Sequence, residues 1–254
     1  MKVYFRIFVM SIWGKIIGGT AGFALGGPIG AILGIMVGGS IDRSRKKFQN
    51  FKSIPHEQKQ NLFALSIIIL SAKVAKADGQ VTKDEIHAFK DKFNIPENEM
   101  QEVGKIFNEA KKSKHGYEQI AKQVGVLFSD NKVLLEELIN NLFYIAESDG
   151  NVSIHEIELL KKISQYFNLS ENDFQRIFQS RLNNKDSDPY KTLGVNRDDP
   201  DDLIRKKWIE LNKEHHPDNL ISKGLPQEFV DQANQELSSI NLAYDKIKKQ
   251  RGIN

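Results

Sequence analysis

The sequence contains no cysteine, which excludes disulfides, thiolate zinc sites and thiol catalysis together and fits a reducing cytoplasm. It has no phosphate-binding glycine loop, no cysteine-rich zinc module and no Gly/Phe-rich linker. No stripe of alternating basic and aromatic residues marks a nucleic-acid surface, so no nucleic-acid partner is expected. Between Lys15 and Asp42 there is no charge at all, although charged residues make up 27% of the 254-residue chain. That local absence is informative. An uncharged stretch of this length makes a helix of about 39 Å at about 1.5 Å per residue, against the roughly 30 Å of a bilayer core.

The expected organisation is a short N-terminal segment (1–15), a transmembrane helix (16–41) and a basic juxtamembrane linker (42–55). Residues 1–55 carry eight Lys/Arg against the single Asp42, while the rest of the chain is slightly acidic. A basic excess around an apolar segment points to a membrane surface and its lipid. Arg43, Arg45, Lys46 and Lys47 directly follow the span, which places the C-terminal bulk in the cytoplasm, although Lys2, Arg6 and Lys15 reduce the asymmetry. Within the span Gly18, Gly22, Gly26, Gly30, Gly34 and Gly38 recur at every fourth residue. Such a ridge lets two helices approach backbone to backbone, so a homodimer through the membrane is expected; the simpler alternative is an anchor that packs against nothing.

Residues 56–180 read as amphipathic helices, with stripes such as Leu62, Leu65, Ile68 and Ile69, then Val103, Ile106 and Phe107. They hold an internal repeat. Asp78-Gly79-Gln80-Val81-Thr82 with Glu85 returns 71 residues later as Asp149-Gly150-Asn151-Val152-Ser153 with Glu156. An EF-hand register fails, because Val74 and Ile145 would occupy the first calcium-ligand position. The motif instead fits a glycine turn followed by capping boxes, Thr82 with Glu85 and Ser153 with Glu156. In this pattern the region resembles the TerB-like helical domain. That resemblance implies an all-α fold and an interaction surface. Some members of the family are thought to bind metal through acidic clusters, for which Asp78, Glu85, Asp149 and Glu156 are the corresponding residues; no metal or other cofactor is assigned.

A polar linker (181–187) leads to residues 188–254. Asp188 caps a short helix with Pro189 at its first position, and Gly194 ends it. A second helix opens on Asp199-Pro200-Asp201-Asp202 and buries Ile204, Trp208 and Leu211, with Arg205, Lys206, Lys207 and Lys213 on its other faces. His216-Pro217-Asp218 breaks it, since Pro217 cannot donate a backbone hydrogen bond. A third helix, from near Pro226, carries Phe229, Ala233, Leu237, Ile240, Tyr244 and Ile247 along one stripe. The expected form is a helical hairpin closed by an exposed loop.

Asp188-Pro189-Tyr190 with Leu193-Gly194-Val195, the basic helix, His216-Pro217-Asp218 and Ala243-Tyr244 resemble the J domain in order and spacing. With the glycine-rich span and TerB-like middle, the whole chain is similar to the membrane-anchored DnaJ-like family of Gram-negative bacteria. The resemblance implies a single-pass protein of the inner membrane, N-terminus periplasmic and C-terminal domains cytoplasmic, acting as a co-chaperone in the stress response. Its partner would be a DnaK-type chaperone whose ATPase it stimulates. His216 and Asp218 would make polar contacts, Pro217 would fix the turn, and Arg205, Lys206, Lys207 and Lys213 would steer an acidic partner. Two positions depart from the common J-domain pattern: Trp208-Ile209-Glu210-Leu211 shortens the basic face, and Asn219 replaces the usual Lys after the tripeptide. No enzyme is expected, because nothing near His216 and Asp218 supplies a nucleophile or a metal. The competing view is a membrane stress sensor or scaffold acting mainly through the TerB-like domain.

Overall fold

A computed structural model describes residues 12–13, 55–77, 93, 95–112, 116–147, 152–181 and 187–253. Every regular element among them is helical. The six glycines of the apolar segment, and with them the expected span, lie outside the described residues, as do Asp78, Glu85 and Asp149. Among the described residues no helix is long and apolar enough to cross a membrane.

The middle of the chain is built on α1 (His56–Ala77). Leu62 to Leu70 are almost wholly buried on every face, so the central part of α1 is a core helix and not the amphipathic helix its spacing suggests. Its two interior hydroxyls are satisfied locally: Ser66 Oγ donates to the Leu62 carbonyl at 2.7 Å and Ser71 Oγ to that of Ile67 at 2.6 Å. Around it pack α2 (Glu97–Lys112), α3 (Tyr117–Leu127), α4 (Lys132–Ala146) and α5 (Ile154–Tyr166), while α6 (Glu171–Arg181) packs on α4, with Phe174 beside Phe143. α5 begins with the expected capping box. Glu156 N–H donates to Ser153 Oγ at 3.1 Å, and Ser153 N–H donates to Glu156 Oε2 at 2.7 Å. The Glu156 carboxylate is therefore engaged in capping.

The C-terminal part begins with α7 (Pro189–Leu193), capped by Asp188 and ended by Gly194 at φ +67°, as the sequence indicates. α8 (Asp201–Glu214) and α10 (Val230–Arg251) form the hairpin. Between them lies a short helix, α9 (Pro217–Lys223), and a 3-10 turn (Gln227–Phe229). The hairpin has its own core: Tyr190, Leu193, Ile204, Leu211, Ile240, Ala243 and Ile247 are buried, and Trp208 stacks on Tyr244 at 4.4 Å between ring centroids. Leu220, Leu225, Phe229 and Ala233 instead join the core of the middle helices. Two residues expected on the hairpin stripe, Phe229 and Ala233, thus tie the base of α10 to α1. Ile12 and Trp13 add to this shared core, with Trp13 5.8 Å from the Phe229 ring and 6.4 Å from that of Phe93.

Candidate functional site: an exposed His-Pro-Asp turn on a buried charge cluster

His216-Pro217-Asp218 is the first turn of α9 and not an irregular loop. Pro217 stands at the first helical position, where its missing N–H costs nothing. His216 is the capping residue, with Asp218 N–H donating to His216 Nδ1 at 3.2 Å. The two polar side chains face water, 54% and 89% exposed for His216 and Asp218. Asn219 stitches the turn to the end of α8 by donating from Nδ2 to the carbonyls of Lys213 (3.0 Å) and Glu214 (2.8 Å). The residue that departs from the J-domain pattern therefore has a local structural task.

The basic residues of α8 are less uniform than their spacing suggests. Arg205, Lys206 and Lys213 are exposed. Lys207 is half-buried and pairs with Glu210 at 3.0 Å, which reduces its availability to a partner. Arg205 and Lys206 sit near the middle of the helix, with Lys213 at the end nearest the turn.

Directly behind His216, His215 is buried. Its Nδ1 lies 3.1 Å from Glu137 Oε1. Its Nε2 lies 3.2 Å from Glu136 Oε2, an ionic contact without hydrogen-bond alignment. Arg176 of α6 bridges Glu136 (2.8 Å) and Glu236 of α10 (2.6 Å), and Ser180 Oγ donates to the other Glu236 oxygen at 2.8 Å. Lys132 sits at the rim, 3.6 Å from Glu136 and 2.8 Å from Asp173. Burial by itself, together with the Arg176 charge, disfavours a protonated His215. The Glu136 and Glu137 carboxylates outweigh both and raise its pKa to about 9. Burial likewise penalises the Glu136 carboxylate, but Arg176, His215 and Lys132 hold its pKa at about 2. At neutral pH the buried Glu136 carboxylate thus faces an imidazolium and a guanidinium. Sequence reading missed this cluster because its defining pairs are far apart in the chain, Arg176 and Glu136 by 40 residues and His215 and Glu137 by 78. No signal within a short stretch of sequence marks it, since His215 is told apart from the exposed His216 only by partners distant in the chain.

Among the described residues no group of side chains is arranged to hold a metal. What the site offers chemically is presentation: an ordered, polar, solvent-facing turn on a rigid base.

Residues 64–179 match the family model of tellurite resistance protein TerB, and residues 10–48 match that of the co-chaperone DjlA transmembrane domain. The fold and these matches define a class: all-α proteins that join a membrane segment to a TerB helical domain. Proteins similar along nearly the whole chain share one description, co-chaperone protein DjlA. Those from Photobacterium profundum and Coxiella burnetii are each 28% identical, covering 95% and 94% of this chain and 100% and 98% of their own lengths. One from Vibrio vulnificus is 29% identical, over 96% of this chain and its own full length. The chain is a homologue of the DjlA co-chaperones. No solved structure matches it.

Proposed function

We propose that this protein is a membrane-anchored co-chaperone that recruits a DnaK-type chaperone and stimulates its ATPase through His216-Pro217-Asp218. The observation that carries the reading is the contrast along four residues: His215 is buried in ion pairs, while His216 and Asp218 project into water from a capped turn. Exposed polar groups on a pre-ordered turn bind with less ordering cost than a loose loop. Arg205, Lys206 and Lys213 add a positive field that favours encounter with an acidic surface. The protein itself catalyses nothing and acts on its partner's hydrolysis. A single-turnover ATPase assay with the full chain in phospholipid vesicles tests this: stimulation by the native protein, abolished in His216→Gln, is expected.

The anchor is residues 16–41, crossing the inner membrane once with the domains in the cytoplasm and pairing through the Gly18 to Gly38 ridge. Gly22→Leu, Gly26→Leu and Gly30→Leu together should abolish self-association in a membrane two-hybrid assay. A second topology, with both ends of the segment on the side of the domains, is supported by one observation: Trp13 is buried beside Phe93 and Phe229. Basic residues on both flanks of the segment fit it too. A single cysteine placed at Ser11 discriminates, since labelling by an impermeant reagent from the periplasmic side requires the single pass.

A further inference from the structure

α9 belongs by sequence to the hairpin, yet both of its ends are held by the middle helices. At its entrance His215 is fixed between Glu136 and Glu137 of α4, and Glu137 Oε2 in turn accepts from Asn140 Nδ2 at 3.4 Å. Along its inner side Leu220 is fully buried in the middle-domain core. At its exit the carbonyl of Lys223 accepts from Asn131 Nδ2 at 3.4 Å, and that of Leu225 accepts from Gln60 Nε2 at 3.2 Å. Asn131 stands at the N-cap of α4 without capping it through its side chain; the amide is directed to α9 instead. Gly224, at φ +119°, lets the chain turn so close to α1 that an added Cβ would lie 3.1 Å from Lys59 Cβ.

The hairpin does not need these contacts for its own core, which closes around Tyr190, Ile204, Leu211, Ile240 and Ile247. They act on the turn. We propose that the middle domain sets the position of His216-Pro217-Asp218 through a two-ended clamp, with His215 against Glu136 and Glu137 at one end and Asn131 and Gln60 at the other. These are positioning residues, acting through the tripeptide. The inference rests on the reading of that turn as the chaperone contact, and it gives the TerB domain a role: whatever shifts α1 against α4 shifts the presented turn. A clamp holds most molecules in the docking-competent arrangement; if its loss reduces that fraction to about one fifth, apparent affinity falls about fivefold while the rate at saturation is kept.

The test uses the full chain in phospholipid vesicles, titrated against a DnaK-type chaperone, with His215→Gln and the exit pair Gln60→Ala/Asn131→Ala as variants. Both should raise the concentration for half-maximal ATPase stimulation by about fivefold and leave the maximal rate within about twofold. Hydrogen exchange should accelerate at amides 218–225 while α4 and α10 keep their protection. The exit pair is only half-buried, so it remains informative if His215→Gln fails to fold. Unchanged half-saturation with unchanged exchange at 218–225 in the exit pair overturns the clamp, as does loss of stimulation accompanied by loss of protection throughout the domain. A native protein that stimulates nothing overturns the proposed function instead; exchange at 218–225 then still decides the clamp.

Discussion

Arg176 shows how much a single side chain holds in this protein. It is buried and joins Glu136 to Glu236, and so α4 to α10 across α6. Arg176→Ala leaves two carboxylates buried without their cation and should cost about 3–5 kcal/mol of stability, read as a lowered unfolding midpoint in urea. The cluster also sets a pH window. His215 has its pKa raised from 6.5 to about 9, so its contribution is complete below about pH 6.5 and is lost as pH climbs through 9. Glu136 has its pKa lowered from 4.5 to about 2, so its contribution is present above 4.5 and is lost as pH falls towards 2. The stability gap between the native protein and His215→Leu should therefore shrink between pH 6.5 and 9 in thermal melts; a gap constant over that range contradicts the buried ion pairs. The residue scale is also where sequence reading divides most sharply. The exposed turn at His216, Pro217 and Asp218 was legible because a proline break acts between neighbours, whereas His215 depends on Glu137, 78 residues away, and no pattern within a window reveals it.

At the scale of elements, two small features set the middle domain's geometry. Ser153 caps α5 reciprocally with Glu156, and Ser153→Ala should cost about 1 kcal/mol by thermal melting. Gly125 in α3 faces the end of α5, where an added Cβ would lie 2.4 Å from the Tyr166 carbonyl oxygen. On helix propensity alone Gly125→Ala would gain about 1 kcal/mol, but overpacking at a helix contact costs about 1–3 kcal/mol, so the variant should be less stable. An increase in melting temperature contradicts that packing. Asn168 ends α5 in the left-handed region at φ +56°, which asparagine tolerates better than most residues. The capping box, the ends of α7 and the start of α8 could be read from the chain, since caps and proline act within a few residues. The burial of α1 on all sides could not: Ser66, Ser71 and Lys73, polar residues of a kind that usually faces water, lie inside. Nor could α9, because His216-Pro217-Asp218 reads equally as a break and as a helix start.

For the whole molecule, the consequence is that hairpin and middle domain are one packed body. Leu220, Leu225, Phe229 and Ala233 complete the core around α1, while the charge cluster joins α4, α6, α10 and the turn. Domain boundaries drawn from composition miss this, because apolar residues on the hairpin stripe look the same whichever core receives them. With an anchor ahead of it, such a body would hold the His-Pro-Asp turn at a fixed orientation near the membrane, and would confine its partner's activation to that surface. The most direct measurement is single-turnover ATP hydrolysis by a DnaK-type chaperone in the presence of vesicles carrying the full chain. The account predicts acceleration by the native protein and the unstimulated rate with His216→Gln; equal rates for the two proteins would contradict it.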